Sequence, residues 1–176
     1  MLYPNLARDV LITLATLGLF EARWTEEIHQ EWTRSLLNDK PHLGIQVQKI
    51  RELVDQAVPD CLVQGFQPII SSLTLPDLND RHVLAAAIHS GASQIVTFNL
   101  TDFPKKLLRP HSVVAVHPDA FVAELLGAFP DVIAQALNNR RRTYQKPATS
   151  WAQYCERLRQ VGFKDTSVKL LSMDYQ

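Results

Sequence analysis

The sequence contains little of what marks several familiar classes of protein. Its two cysteines, Cys61 and Cys155, lie far apart without a metal-ligand spacing, so we expect reduced structural thiols. No apolar run approaches the ~18 residues of a membrane span, and no basic leader with a small-residue cleavage site precedes the first helical pattern. Glycine-rich phosphate loops, nucleophile elbows and dinucleotide fingerprints are also missing. We therefore expect a soluble, cytoplasmic protein.

Charge and composition are balanced, which argues against a nucleic-acid coat or a membrane-surface protein. The chain has 176 residues, 46% hydrophobic and 20% charged, which suits one packed domain with an appendage. Its 18 basic and 18 acidic residues are unevenly spread. Residues 1–119 carry 10 basic and 13 acidic side chains, whereas residues 120–176 carry 8 and 5. The body is thus mildly acidic and the tail mildly basic.

Hydrophobic periodicity predicts helices that alternate with short buried strands. Thr25 is a plausible N-cap, as is Thr149 or Ser150 for a late helix, and Gly18 and Gly91 are placed to end helices. The helix after Thr25 has Ile28, Trp32 and Leu36 on one face. Helices are predicted over about 5–19, 26–37, 43–57 and 83–90, strands over 61–66, 93–98 and 113–116, and a strand or turn over 20–24. This order favours an α/β domain with three layers around a parallel sheet. From Pro118 onward the pattern is helical, which suggests a domain over 1–117 and a helical extension over 118–176.

Three carboxylates fall near the predicted end of the sheet, where ligands of parallel-sheet proteins bind. Asp80 opens the helix before the 93–98 strand, Asp102 follows that strand, and Glu31 borders the buried face of the second helix. Mg²⁺ and Mn²⁺ prefer oxygen ligands, and several carboxylates at one edge are relieved by a cation between them. Such a cation can polarise a phosphodiester and activate water for in-line attack.

Taken singly, each candidate has a plain structural explanation. Asp77 or Asn79 suits an N-cap, and Asp80 in a first helical turn answers the helix dipole. The others can be a turn residue (Asp102), a rim carboxylate (Glu31), helix-face histidines without a zinc spacing (His82, His89) or a solvated basic face (Arg140, Arg141, Arg142). No single residue is specific for a metal site, so the prediction depends on the carboxylates taken together.

The run P-D-L-N-D-R-H-V-L-A-A-A-I-H-S-G-A-S-Q-I-V-T-F-N-L-T-D-F-P carries a wider pattern. Upstream of it, in order, come L-Y-P-N-L-A-R-D-V-L-I-T-L-A and G-L-F-E-A-R-W-T-E-E-I-H-Q-E-W. With these blocks the chain resembles the PIN-domain ribonucleases, in particular the VapC-like toxins of bacterial toxin–antitoxin pairs. The resemblance covers roughly residues 1–117, and the remainder resembles the helical C-terminal extension of one subgroup.

The resemblance implies a PIN-like fold with an acidic pocket that binds Mg²⁺ or Mn²⁺ and cleaves RNA. Glu31, Asp80 and Asp102 match the family's catalytic metal ligands, and Asp77 lies where the subgroup often has a further carboxylate. Asn99 and Thr97 would support the site. Candidates for contacts to RNA phosphates are Arg81, Arg140, Arg141, Arg142 and Lys146. The family also implies a small cognate antitoxin and a homodimer.

One part of the family pattern has no counterpart, namely an aspartate at the end of an opening strand before L-Y-P. Met1 directly precedes Leu2, and Asp9 is a poor substitute because a pair with Arg8 or a neighbouring helix suits it better. Loss of a central strand would expose unpaired backbone groups. Three explanations are open. The true start of the protein lies upstream of Met1, the chain is a decayed and inactive copy, or another segment or subunit fills the gap.

The leading prediction is a metal-dependent endoribonuclease. The first alternative is a catalytically inactive PIN-like module that binds an antitoxin or another protein. The second alternative is a small-molecule phosphohydrolase, but such an enzyme would normally need a nucleophile or a phosphate loop.

Overall fold

A computed structural model describes residues 5–144 and 149–173. The chain divides into two compact units. Residues 21–117 form one, which we call the site unit, and residues 5–20 with 118–173 belong to the other, which we call the helical unit. Helix 5–16 thus belongs with the C-terminal helices, whereas the sequence grouped it with residues 21–117. The functional division at residue 117 stays a prediction.

Most of the described chain is helical. The α-helices are α1 (Asn5–Thr16), α2 (Glu26–Asp39), α3 (Gly44–Ala57), α4 (Gln67–Ile70), α5 (Arg81–Ser90), α6 (Lys105–Leu108), α7 (Pro118–Ala128), α8 (Pro130–Arg142), α9 (Trp151–Gln160) and α10 (Lys164–Leu171). The strands are β1 (Gln94–Val96) and β2 (Val114–Val116). None of the helices in the described ranges has both the length and the apolarity that crossing a bilayer requires.

The sheet of the site unit is small and parallel. β1 pairs with β2, with Ile95 opposite Ala115, which confirms the predicted strands in shorter form. The strand predicted over 61–66 is wrong in extent, because Leu62 makes only an isolated parallel bridge to Trp24. Gly65, with φ of 81°, turns the chain away directly afterwards. Among the described residues the fold is therefore α/β with a minimal sheet; three layers around it remain a prediction.

The core of the site unit lies around α5 and the two strands. Phe66, Leu84, Phe103 and Leu108 are each at most 1% exposed and belong to this core. α5 can approach its neighbours closely because its buried face is largely alanine. Gly91 ends α5 in the left-handed conformation, as predicted. The core therefore packs against α5 just behind its first turn.

Helix α2 forms where the sequence placed it. Thr25 is the N-cap, since its side chain accepts a hydrogen bond from the backbone N–H of Ile28 at 3.2 Å. Ile28, Trp32 and Leu36 are buried, which confirms the predicted apolar stripe. Glu31, which flanks this stripe, is exposed.

The helical unit is held by matched polar contacts as well as by its core. α1 ends at Thr16, earlier than predicted, and packs against α8. Asp9 on α1 accepts hydrogen bonds from Arg140 Nη2 and Tyr144 Oη, each at 2.8 Å, which confirms the predicted pairing of Asp9 with a neighbouring helix. Ser150 and Gln153 form a capping box at the start of α9, and this confirms Ser150 as a cap.

Candidate metal centre

The turn before α5 separates two roles that the sequence left open. Asp77 is the cap: its Oδ1 accepts a hydrogen bond at 2.8 Å from the backbone N–H of Asn79 in the single 3₁₀ turn Leu78–Asp80. Asp80 precedes the first residue of α5, yet its side chain makes no capping hydrogen bond there. Local structure therefore accounts for the carboxylate of Asp77 and does not account for that of Asp80.

The loop after β1 presents the other acid. Asp102 ends a 3₁₀ turn, Leu100–Asp102, and its Oδ2 accepts a hydrogen bond from Asn99 Nδ2. The backbone N–H of Asn99 donates to Thr97 Oγ1 at 3.0 Å, and Thr97 is fully buried. Buried Phe103 fixes the following residue. Asn99 contacts Asp102 directly and Thr97 contacts Asn99, so the two residues predicted to support the site adjoin it.

Three aspartates meet at this edge of the site unit. Asp77, Asp80 and Asp102 each offer a carboxylate oxygen, and these oxygens lie within 4.8 Å of one another. Asp77 is exposed, whereas Asp80 and Asp102 are half-buried. We call these residues the aspartate trio. Chain segments on either side of α5 and β1 bring the trio together, as the parallel-sheet argument predicted for Asp80 and Asp102.

The trio is electrostatically crowded. Burial, then the charges of Asp102 and Asp77, raise the pKa of Asp80 to about 6, and a side-chain hydrogen bond to Asp102 acts in the same direction. The carboxyl group of Asp80 therefore holds a proton more tightly than that of an ordinary aspartate does. A cation with a preference for oxygen ligands would offset the repulsion that adds to the effect of burial.

Glu31 lies beside the trio but is not part of it. Its Oε1 is 2.9 Å from His82 Nε2, and this hydrogen bond is the main cause that holds the pKa of Glu31 below its usual value. The charge of Glu31 still adds to the rise in the pKa of Asp80. Glu31, one of the three carboxylates predicted to meet, is thus held near the trio by a histidine that the sequence reasoning treated as a helix-face residue. The position of His82, two residues after Asp80 on a helix with a buried face, was the available signal.

The predicted RNA-contacting residues are placed differently from one another. Arg81 adjoins Asp80, and its Nε donates to the carbonyl of Leu78 at 3.0 Å. In the helical unit, Arg140 is bonded to Asp9, and Arg141 Nε donates to Asn138 Oδ1 at 2.8 Å. Arg142 is exposed, and Lys146 lies outside the described residues. Arg140 and Arg141 thus have partners within the fold.

The trio fits a hard divalent cation by the chemistry of its donors. All its ligand atoms are carboxylate oxygens, which suit Mg²⁺ or Mn²⁺ and not the softer metals that select thiolates. The carboxyl of Asp80, which makes no capping hydrogen bond in α5, is available to such a cation. Glu31 could add an oxygen through Oε2, because the hydrogen bond to His82 uses Oε1.

Comparisons with known proteins point to one group. A sequence family described as the VapC50 C-terminal domain matches residues 118–171. The chain is also 39% identical over 67 residues to a protein of Mycobacterium tuberculosis (strain ATCC 25618 / H37Rv) named "Putative ribonuclease VapC50". That match spans 38% of this chain and 39% of the relative. No solved structure matches. The chain is thus similar to a VapC-type protein over part of its length.

Proposed function

We propose that this chain is a VapC-like, metal-dependent endoribonuclease that hydrolyses RNA phosphodiester bonds. The observation that carries the proposal is the aspartate trio, in which Asp80 has a raised pKa and no capping role. The name of the Mycobacterium tuberculosis relative supports ribonuclease chemistry. In this proposal residues 1–117 are a PIN-like three-layer domain that includes the site unit, and residues 118–176 are its helical extension.

The residues of the site would divide the work as follows. Asp80 and Asp102 would hold Mg²⁺ or Mn²⁺ with Asp77, and Glu31 would contribute from α2. When bound, such a cation polarises a phosphodiester and makes water more acidic. Asn99, fixed by its bond to Thr97, would keep the carboxylate of Asp102 in position. Arg81, next to Asp80, would meet the phosphate charge of the RNA backbone.

The wider setting is proposed from the same similarity. We expect a small antitoxin as the protein partner, a homodimer as the assembly, and the cytoplasm as the place of action. Of the three predicted arginines on α8, Arg142 is exposed and Arg140 and Arg141 are half-buried, so Arg142 is the better RNA contact.

Substitution of the central aspartate tests the proposal. Asp80→Asn should abolish both Mn²⁺ binding in calorimetry and the cleavage of single-stranded RNA. Asp131→Asn, which changes an exposed aspartate in the first turn of α8, is the matched control and should leave both unchanged. RNA cleavage that persists at the same rate in Asp80→Asn would exclude the trio as the active site.

A second candidate function is a catalytically inactive PIN-like module that binds a protein partner. The Glu31–His82 bond favours it, because it leaves Glu31 outside the trio. Mn²⁺ calorimetry separates the two functions: an inactive module should have no specific site, and Asp80→Asn should then bind Mn²⁺ as weakly as the unmodified chain.

A further inference from the structure

His82 connects α5 to α2 at the edge of the trio. It is the second residue of α5, 9% exposed, and its Nε2 lies 2.9 Å from Glu31 Oε1. A carboxylate only accepts hydrogen bonds, so the proton in this contact is on Nε2 and the imidazole is the donor. One oxygen of Glu31 is thereby fixed and the other is not used by His82.

A second buried histidine shows what a purely structural role looks like in the same unit. His29 is bonded at both nitrogens: Nδ1 accepts from Trp32 Nε1 at 2.9 Å, and Nε2 lies 2.7 Å from Asp55 Oδ1. His82 differs, because its buried Nδ1 has no hydrogen-bond partner in the described part of the chain. Leaving a buried polar atom unpaired costs about 1–3 kcal/mol, so packing alone is a poor reason for an imidazole here.

The geometry points to His82 as a positioning residue of the candidate metal centre, which holds Glu31 by Oε1 and leaves Oε2 for the cation of the aspartate trio. This inference rests on the proposed function. It gives Glu31, an exposed side chain with many rotamers, the fixed orientation that a ligand needs.

Electrostatics agrees with this arrangement. The hydrogen bond to His82 is the largest cause of the lowered pKa of Glu31, so Glu31 stays anionic beside the trio. Its charge is felt at Asp80, whose pKa it helps to raise. Partners that orient metal ligands typically change metal affinity by about 10–100-fold when they are removed.

Two substitutions of His82 separate positioning from simple packing. The side-chain nitrogen of Gln lies close to the place of Nε2, and that of Asn close to the place of Nδ1. His82→Gln therefore keeps a donor for Glu31, whereas His82→Asn withdraws it. In calorimetry on the whole chain, His82→Asn should weaken Mn²⁺ binding by about tenfold, and His82→Gln by no more than about threefold.

The control is another contact that ties α2 to a neighbouring helix. Arg51 Nη2 on α3 forms an ion pair with Glu26 Oε2 on α2, away from the trio residues in sequence. Arg51→Gln removes this tie and should leave the Mn²⁺ affinity unchanged. An equal loss of affinity in Arg51→Gln and His82→Asn would overturn the inference, because the effect would then come from loosening α2.

Glu31 supplies the coupling test. Glu31→Gln should weaken Mn²⁺ binding about as much as His82→Asn, and the double variant should be no weaker than Glu31→Gln alone. Unchanged affinity in His82→Asn, with normal binding by the unmodified chain, would refute the role of His82 and leave the proposed function standing. Absence of specific Mn²⁺ binding by the unmodified chain would refute both the role of His82 and the proposed function.

A measurement on the unmodified chain covers the case in which His82→Asn fails to fold. A proton–nitrogen correlation spectrum of the histidine rings should show His82 with hydrogen on Nε2. A ring that carries its hydrogen only on Nδ1 could not donate to Glu31, and this result would also overturn the inference.

Discussion

Two aspartates of the helical unit and the aspartate trio of the site unit have opposite surroundings. In the helical unit, Asp9 is matched by Arg140 and Tyr144, and Asp119 accepts from the backbone N–H groups of Asp165 and Thr166 at 2.8 and 2.9 Å. In the site unit, the members of the aspartate trio face one another, and Asp80 has its pKa raised to about 6 by burial and by its neighbours. Acids of the first kind stabilise the fold, whereas crowded acids of the second kind are typical of functional sites.

Removal of one core phenylalanine from each unit should give the largest effects. Phe103→Ala and Phe163→Ala should each lower the free energy of unfolding by about 3–5 kcal/mol, because both rings are almost fully buried. Only Phe103→Ala should also weaken Mn²⁺ binding, since the buried ring of Phe103 anchors the end of the turn that carries Asp102. Denaturant unfolding measures the stability of both variants, and calorimetry measures their Mn²⁺ affinity. Equal loss of Mn²⁺ affinity in both variants would contradict the contrast between the units.

The same substitution at one aspartate of each unit should change stability in opposite directions. Asp9→Asn should destabilise the protein by about 1–3 kcal/mol, because it weakens hydrogen bonds from Arg140 and Tyr144. Asp80→Asn should stabilise the protein in the absence of divalent cations, because it removes repulsion within the trio. Thermal unfolding in a chelating buffer measures both. A loss of stability in Asp80→Asn would mean that the carboxylate supports the fold after all.

A smaller effect should appear in the pH dependence of stability without divalent cations. Because the folded protein binds the proton of Asp80 with a pKa of about 6, above that of an ordinary aspartate, protonation favours the folded state. This contribution is fully present below a pH of about 3.9, the unfolded value, and is lost as the pH rises through about 6. Urea unfolding from pH 5 to 8 should show the decline, and Mg²⁺ should restore the stability at pH 8. Asp80→Asn should flatten the profile, and an unchanged profile in that variant would assign the effect to another group.

Local elements were predictable because their causes lie within a few residues. The side chain of Thr25 caps α2, Gly91 ends α5 and Ser150 caps α9, each by contacts inside one turn. The length of the strand at 61–66 was not predictable in the same way, because pairing depends on which segment lies alongside it. Periodicity indicated that α1 is amphipathic but could not choose between α8 and the helices of the site unit as its partner.

The same distinction holds for the candidate site. The residue types and spacing around Asp80 and Asp102 predicted an acidic site and offered Asp77 or Asn79 as an N-cap, since a turn and a strand end are short-range features. That three carboxylate oxygens lie within 4.8 Å, that Glu31 is bonded to His82, and that burial raises the pKa of Asp80 were decided by tertiary structure. The physical reason is that distances, burial and desolvation depend on segments far apart in the chain, whereas caps and turns depend on neighbours along it.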